Sequence, residues 1–189
     1  MTKTTPAARL FWLPLAFAAA VQCWPLAGAW SAEAGFPRAV AVFPVEFADT
    51  SGEAPGAGRG GQVAGTTREL AVLLEGSGKY RAVDLAPVRQ RLSAAGPLHL
   101  CGGCWLDMAR EAGAEVATVT IVHKMSTLVA SMHVWIVDVA ARRVIRDGAV
   151  SLRGDTAEAS RRAAGYLVRN VLLNEDPSRP SLSSPFPGG

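Results

Sequence analysis

Residues 128–152, LVASMHVWIVDVAARRVIRDGAVSL, read as two extended runs, Leu128 to Val139 and Arg143 to Leu152, joined by Ala140-Ala141-Arg142. Two β-rich runs with so short a connection form a hairpin, and a hairpin makes its strands antiparallel neighbours. Upstream the pattern differs. Arg38 to Phe47 (RAVAVFPVEF) is rich in Val, Phe and Ala with little polarity, which suits a buried first strand. A loop of Gly, Pro, Ser and acidic residues follows from Ala48 to Gly61. Val63, Thr67, Leu70, Leu73 and Leu74 then recur at helical spacing, and Gly76 and Gly78 close that helix.

Tyr80 to Leu85 alternates and reads as a second strand. Pro87 suits the first turn of a brief helix that runs through Leu92 and stops at Gly96-Pro97. Cys101 to Gly113 is a further helix with Cys104, Trp105, Met108, Ala109 and Ala112 on one face. Glu115 to Val122, β-branched and apolar, is a third strand. After the hairpin, Asp155 or Thr156 can cap a last helix with Ala163, Leu167 and Val171 inward and Arg161, Arg162 and Arg169 outward. The order is β-α-β-α-α-β-β-β-α. Early helical crossovers require parallel strands and the late hairpin requires antiparallel ones, so the fold class is α/β (α+β), a mixed sheet covered by helices.

The N-terminus has the form of an export signal: Lys3 and Arg9, an apolar run from Leu10 to Val21, then small residues. Cleavage is expected near Ala29 or Ala34, giving a signal peptide over 1–34, one domain over 35–176 and a disordered Pro/Ser/Gly tail over 177–189. The apolar run is too short for a stable membrane span. Cys23 follows Val21-Gln22 rather than a small residue, so it is discarded with the leader instead of being lipidated. The roughly 155 remaining residues are enough to bury ~70% of their unfolded surface in one core. The net charge of +3 falls to +2 when Lys3, Arg9 and Glu33 leave, since two positive charges and one negative are lost. With the arginines scattered, no nucleic-acid partner is expected.

Three phrases carry a resemblance: AVAVFPVEFADTS (Ala39 to Ser51), LAVLLEGSGKYRAVDL (Leu70 to Leu85), and CGGC followed by EAGAEVATVTIVHKMSTL (Glu111 to Leu128). With the later run from Val137 to Leu172, they resemble a group of small secreted bacterial proteins of unknown function, often met near genes for quinoprotein methanol-type dehydrogenases. At fold level the pattern is also similar to the N-terminal domain of the periplasmic TolB protein. The resemblance implies a periplasmic interaction or assembly role and supplies no catalytic residues.

After export only Cys101 and Cys104 remain, in a compartment where close thiols pair, so a Cys101–Cys104 disulfide is the default. Two readings stand. The bridge pins the loop from Gly96 to Gly103 onto the following helix, worth roughly 2 kcal/mol for so small a ring; or a thiolate near a helix N-terminus exchanges disulfides with partners. The structural reading is favoured, because the motif follows a loop rather than a core strand. Haem attachment fails because Trp105 stands where histidine is required. Zinc would have to recruit His99, His123 or His133, and no second close ligand pair exists to complete four. His123 and His133 are expected at strand positions with ordinary partners. Gly56-Ala57-Gly58-Arg59-Gly60-Gly61 matches a dinucleotide-loop pattern with Asp84 at the next strand's end, but the loop lies far from the first strand's tip and carries Asp49 and Glu53. Trp135 is expected in the core, with a partner-facing role as the alternative. Asp84, Asp107 and Glu111 show no paired-carboxylate spacing.

These residues give no catalytic set, no metal site and no cofactor. The reading is an exported periplasmic accessory or interaction module that binds another protein through its sheet edge or the glycine loop. The alternatives are a thiol-disulfide oxidoreductase using Cys101 and Cys104, and a small-ligand carrier, which a large apolar pocket would favour.

Overall fold

The computed structural model describes residues 37–53, 59–154 and 156–174, all within the unit Ala34–Gly189. The expected signal segment, Cys23, Gly56-Ala57-Gly58 and the tail from Pro177 lie outside the described residues.

The sheet is built around a central strand rich in β-branched residues. β4 (Val116–Lys124) is buried on both faces along most of its length, as its β-branched, nearly uncharged sequence requires. On one side it pairs in parallel with β1 (Arg38–Val42) and, further along, with β2 (Glu46–Asp49); on the other it pairs antiparallel with β5 (Val129–Asp138). β3 (Tyr80–Ala82) lies parallel to β1 at one edge, and β6 (Arg143–Arg153) is antiparallel to β5 at the other, giving the order β3-β1-β4-β5-β6. The mixed sheet is thus observed, parallel where helices cross over and antiparallel in the late hairpin.

The first strand differs from its sequence reading. The run from Arg38 to Phe47 breaks at Phe43-Pro44-Val45 into β1 and β2. Pro44 has no N–H to give a ladder, and the Val45 N–H donates instead to Thr67 Oγ1 at 2.9 Å on the neighbouring helix.

Helices cover the two faces unequally. α1 (Arg59–Gly76) and α4 (Ala157–Leu167), the latter continuing as a π-helical segment Val168–Leu172, lie on the first face and close a core with Val40, Leu70, Leu74, Met132, Ile136 and Leu167. Thr156 caps α4, its hydroxyl accepting from the Ala159 N–H at 3.1 Å. The second face carries α2 (Arg89–Ala94) and α3 (Cys104–Glu111), with 3-10 turns at Ala86–Val88 and Leu98–Leu100. Their core centres on Trp105, which is fully buried and meets Phe43 edge-on with ring centroids 6.1 Å apart.

Gly148 explains how the last helix reaches the edge strand. A Cβ there would lie 2.7 Å from Val171 Cγ1 and 3.2 Å from Leu167 Cδ2, so only glycine lets the π-helical segment settle on β6.

Candidate functional site at the outer edge of the sheet

β6 has eleven residues and, among the described residues, no strand beyond it. Two backbone hydrogen bonds set which of its peptide groups face outward. Gly154 N–H donates to Leu128 O at 3.3 Å, and Val139 N–H donates to Glu115 O at 3.0 Å. Peptide groups on a strand alternate sides, so the even-numbered residues of β5 bond to β6 and the odd ones to β4. With the register Met132↔Val150 and Ser131↔Ser151, Gly148, Val150 and Leu152 bond inward. Ala149, Ser151 and Arg153 turn their N–H and C=O groups away from the sheet.

The two halves of this edge differ. Near Arg143 the ladder shifts register beside Ile136/Val137, which makes Ile145 a bulge, and the Arg146 guanidinium donates to the Ile145 carbonyl at 2.9 Å. Bulges and charges are how exposed edges resist pairing. From Gly148 to Leu152 the sequence is Gly-Ala-Val-Ser-Leu, with neither device. Beside this half runs a groove of about 240 Å³, lined by Val150, Ser151, Leu152, Arg153, Ala159, Arg162 and Ala163. Small side chains at Ala159 and Ala163 leave the space open. At the end of the edge the β4–β5 turn exposes Leu128 (75%) and Val129 (49%).

The remaining candidates are spread over the molecule. His99 Nδ1 lies 2.6 Å from Glu46 Oε2, and the same carboxylate accepts from the His99 N–H at 3.0 Å and from the Leu98 N–H. This ties the 3-10 turn at Leu98–Leu100 to β2. His123 Nε2 is 2.8 Å from Thr50 Oγ1. His133 Nε2 is 3.4 Å from Asp147 Oδ2, and its ring stacks on Trp135 at 3.7 Å between centroids. Burial holds the His133 pKa below its usual value, against the opposing pull of Asp147. Trp135 itself is buried in the second core. Each histidine therefore has its own partner, and the described residues hold no group of three or more His, Cys, Asp or Glu arranged for a metal.

Cys101 and Cys104 Sγ atoms sit 2.10 Å apart with Cα atoms at 5.5 Å. Gly102 and Gly103, at φ 62° and 83°, adopt the left-handed turn that closes so tight a ring, and Cys104 opens α3. Both cysteines pack against the core around Trp105. Arg59 and Gly60, from the expected glycine loop, already belong to α1; Arg59 pairs with Asp49 at 3.0 Å and lies 4.2 Å over the Phe47 ring. Asp84 accepts from the Ala86 N–H at 2.8 Å just before the 3-10 turn, while Asp107 and Glu111 pair with arginines on the surface. An apolar cleft of about 430 Å³ lies between α1 and the β1–β3 edge, lined by Val42, Val63, Ala71 and Val83 among others, with Arg68 the one charged lining residue. No described helix is long and apolar enough to cross a membrane.

The edge had a partial signal in the sequence, since the hairpin was legible. The groove, formed by residues from β6 and α4, had none.

Several solved structures share a distant likeness with this chain. The LpoB C-terminal domain from Salmonella enterica matches at 16% identity and TM-score 0.47, over 61% of this chain and 82% of that one. Lipoprotein GNA1162 from Neisseria meningitidis matches at 17% identity and TM-score 0.47, over 64% and 83%. The PelC dodecamer from Paraburkholderia phytofirmans matches at 12% identity and TM-score 0.41, over 73% and 91%. No curated protein sequence matches. Residues 38–172, from the first residue of β1 to the last of the π-helical segment, match the family DUF3280, described as "Protein of unknown function (DUF2380)", and the chain belongs to that family.

Proposed function

We propose that this protein is exported, loses its leader, and works in the periplasm as a non-catalytic accessory module that receives an extended segment of a partner protein on β6. One observation carries the reading: Ala149, Ser151 and Arg153 direct their backbone donors and acceptors outward from a half-edge that has no bulge, proline or charge between Gly148 and Leu152. Strand addition draws its affinity from such main-chain groups and needs no special side chains. A partner in a quinoprotein system agrees with the resemblance in the sequence.

Within this reading Cys101 and Cys104 form a structural disulfide. It fixes the turn from Leu98, which the Glu46 carboxylate holds at its other end, against the Trp105 core. The competing oxidoreductase reading draws on the position of Cys104 at the start of α3. A reduction potential below about −300 mV supports the structural role, and one near those of exchange catalysts supports the other.

Ser151→Pro tests strand addition. Proline there removes an outward N–H and leaves the β5–β6 ladder whole, so the fold persists. A stoichiometric periplasmic partner recovered by the wild-type chain is expected to bind the variant about ten-fold more weakly or worse. Equal binding by both chains sinks the proposal, as does finding the full-length chain inside the cell with its thiols reduced.

A further inference from the structure

Resting on the strand-addition reading, we infer that the segment β6 accepts is an acidic one, carrying an aliphatic side chain that enters the groove between β6 and α4. A strand laid along Ala149, Ser151 and Arg153 points alternate side chains to the two faces of the sheet. On the second face they meet Ala149 and Ser151, small and exposed, with the exposed Arg153 next along the same face. On the first face they meet the groove of about 240 Å³, whose apolar walls are Val150, Leu152, Ala159 and Ala163. That space admits one branched or unbranched aliphatic chain against these walls, while Ser151, Arg153 and Arg162 line the same groove beside it.

The charge of this edge is one-sided. From Arg143 to Leu172 the chain carries Arg143, Arg146, Arg153, Arg161, Arg162 and Arg169 against Asp147, Asp155 and Glu158. Two of the acids are already engaged: Asp147, its side chain only 7% exposed, faces His133, and Glu158 pairs with Arg162. Arg153 and Arg161 are exposed and form no ion pair with a described residue. A second copy of β6 would set this arginine-rich edge against itself, and like charges across a strand pair are destabilising. Carboxylates flanking the aliphatic position complement the field, speed encounter and fix register.

A random-peptide display library, selected on the full chain as purified, tests this against two variants, Ser151→Pro and the double variant Arg153→Glu/Arg162→Glu. The wild-type chain is expected to enrich peptides with Asp or Glu around an aliphatic residue. By fluorescence anisotropy their affinity falls at least ten-fold on the double variant, which prefers the same peptides with lysine in place of the acids; Ser151→Pro binds neither set. If the enriched peptides show no acidic or aliphatic bias, or bind the double variant as well as the wild type, while Ser151→Pro still abolishes binding, the partner chemistry is wrong and strand addition stands. If nothing is enriched, or Ser151→Pro binds like the wild type, both fall. Should Ser151→Pro fail to fold, amide hydrogen exchange in the wild type decides: protection of Ala149, Ser151 and Arg153 on peptide binding is expected, and unchanged exchange overturns the site.

Discussion

Gly148 is the residue on which the edge strand and the last helix depend together. Its missing Cβ leaves room for Val171 and Leu167 at distances no side chain permits. Gly148→Ala is therefore expected to lower stability by about 1–3 kcal/mol in chemical denaturation, through overpacking rather than backbone strain; a neutral result would mean that the π-helical segment sits elsewhere. His133 makes a second case at this scale. Its folded pKa lies below the usual histidine value because burial beside Trp135 penalises the imidazolium more than Asp147 favours it. The unfolded chain then binds the proton more readily, so stability is full above about pH 6.5 and declines as the pH falls through that value toward the folded pKa. An NMR titration is expected to place the His133 midpoint below that of free histidine, and His133→Gln is expected to flatten the acid side of the stability profile. A midpoint above the free value would show that Asp147 dominates. Asp49 has the same sign at lower pH: hydrogen bonds from Ser51, then Arg59, hold its carboxyl down to about 2, so its contribution is full above the ordinary carboxylate value and is lost as the pH falls toward about 2.

Among the elements, those whose burial is local were legible in the sequence. The hairpin, a helix from Val63 closed by glycine and a cap at Asp155 or Thr156 follow from periodicity and capping residues; the structure has the hairpin, starts that helix earlier, at Arg59 inside the expected loop, and puts the cap at Thr156. The first strand was read too long although its signal was present, because Pro44 interrupts an otherwise continuous apolar run. The Glu46–His99 clamp was not legible at all: the residues lie 53 positions apart, and only the fold brings the turn at Leu98–Leu100 under β2. The tight Cys101–Cys104 turn was legible in composition, since two glycines supply the positive φ angles it needs. Replacing both cysteines with serine is expected to cost roughly 2 kcal/mol, the entropy of so small a ring. The loss should show as a lower denaturation midpoint with unchanged secondary structure. A collapse of the whole fold would mean that the bridge holds more than the turn.

For the whole molecule, the two faces of the sheet divide the labour. α1 and α4 close one core; α2 and α3 close the other around Trp105 and cover only part of their face. Both cores are filled by side chains; where acids and bases do line a cavity, beside Ala114 and Val139, Arg38 is paired with Asp138 at 2.8 Å and with Glu115 at 3.8 Å. What the fold leaves unused is backbone, on the outer half of β6. Hydrophobic pattern alone does not show which strand ends at an edge, nor that a groove runs beside it, because both depend on strand order and on how α4 crosses β6. The most direct test of the account is site-specific photo-crosslinking in cells, with a benzophenone amino acid at exposed Ala149 and, as control, at exposed Val72 on α1. A single periplasmic adduct from position 149, absent from position 72 and lost when Ser151→Pro is added, is the expected result. The same adducts from both positions, or an adduct at 149 that survives the proline, would contradict it.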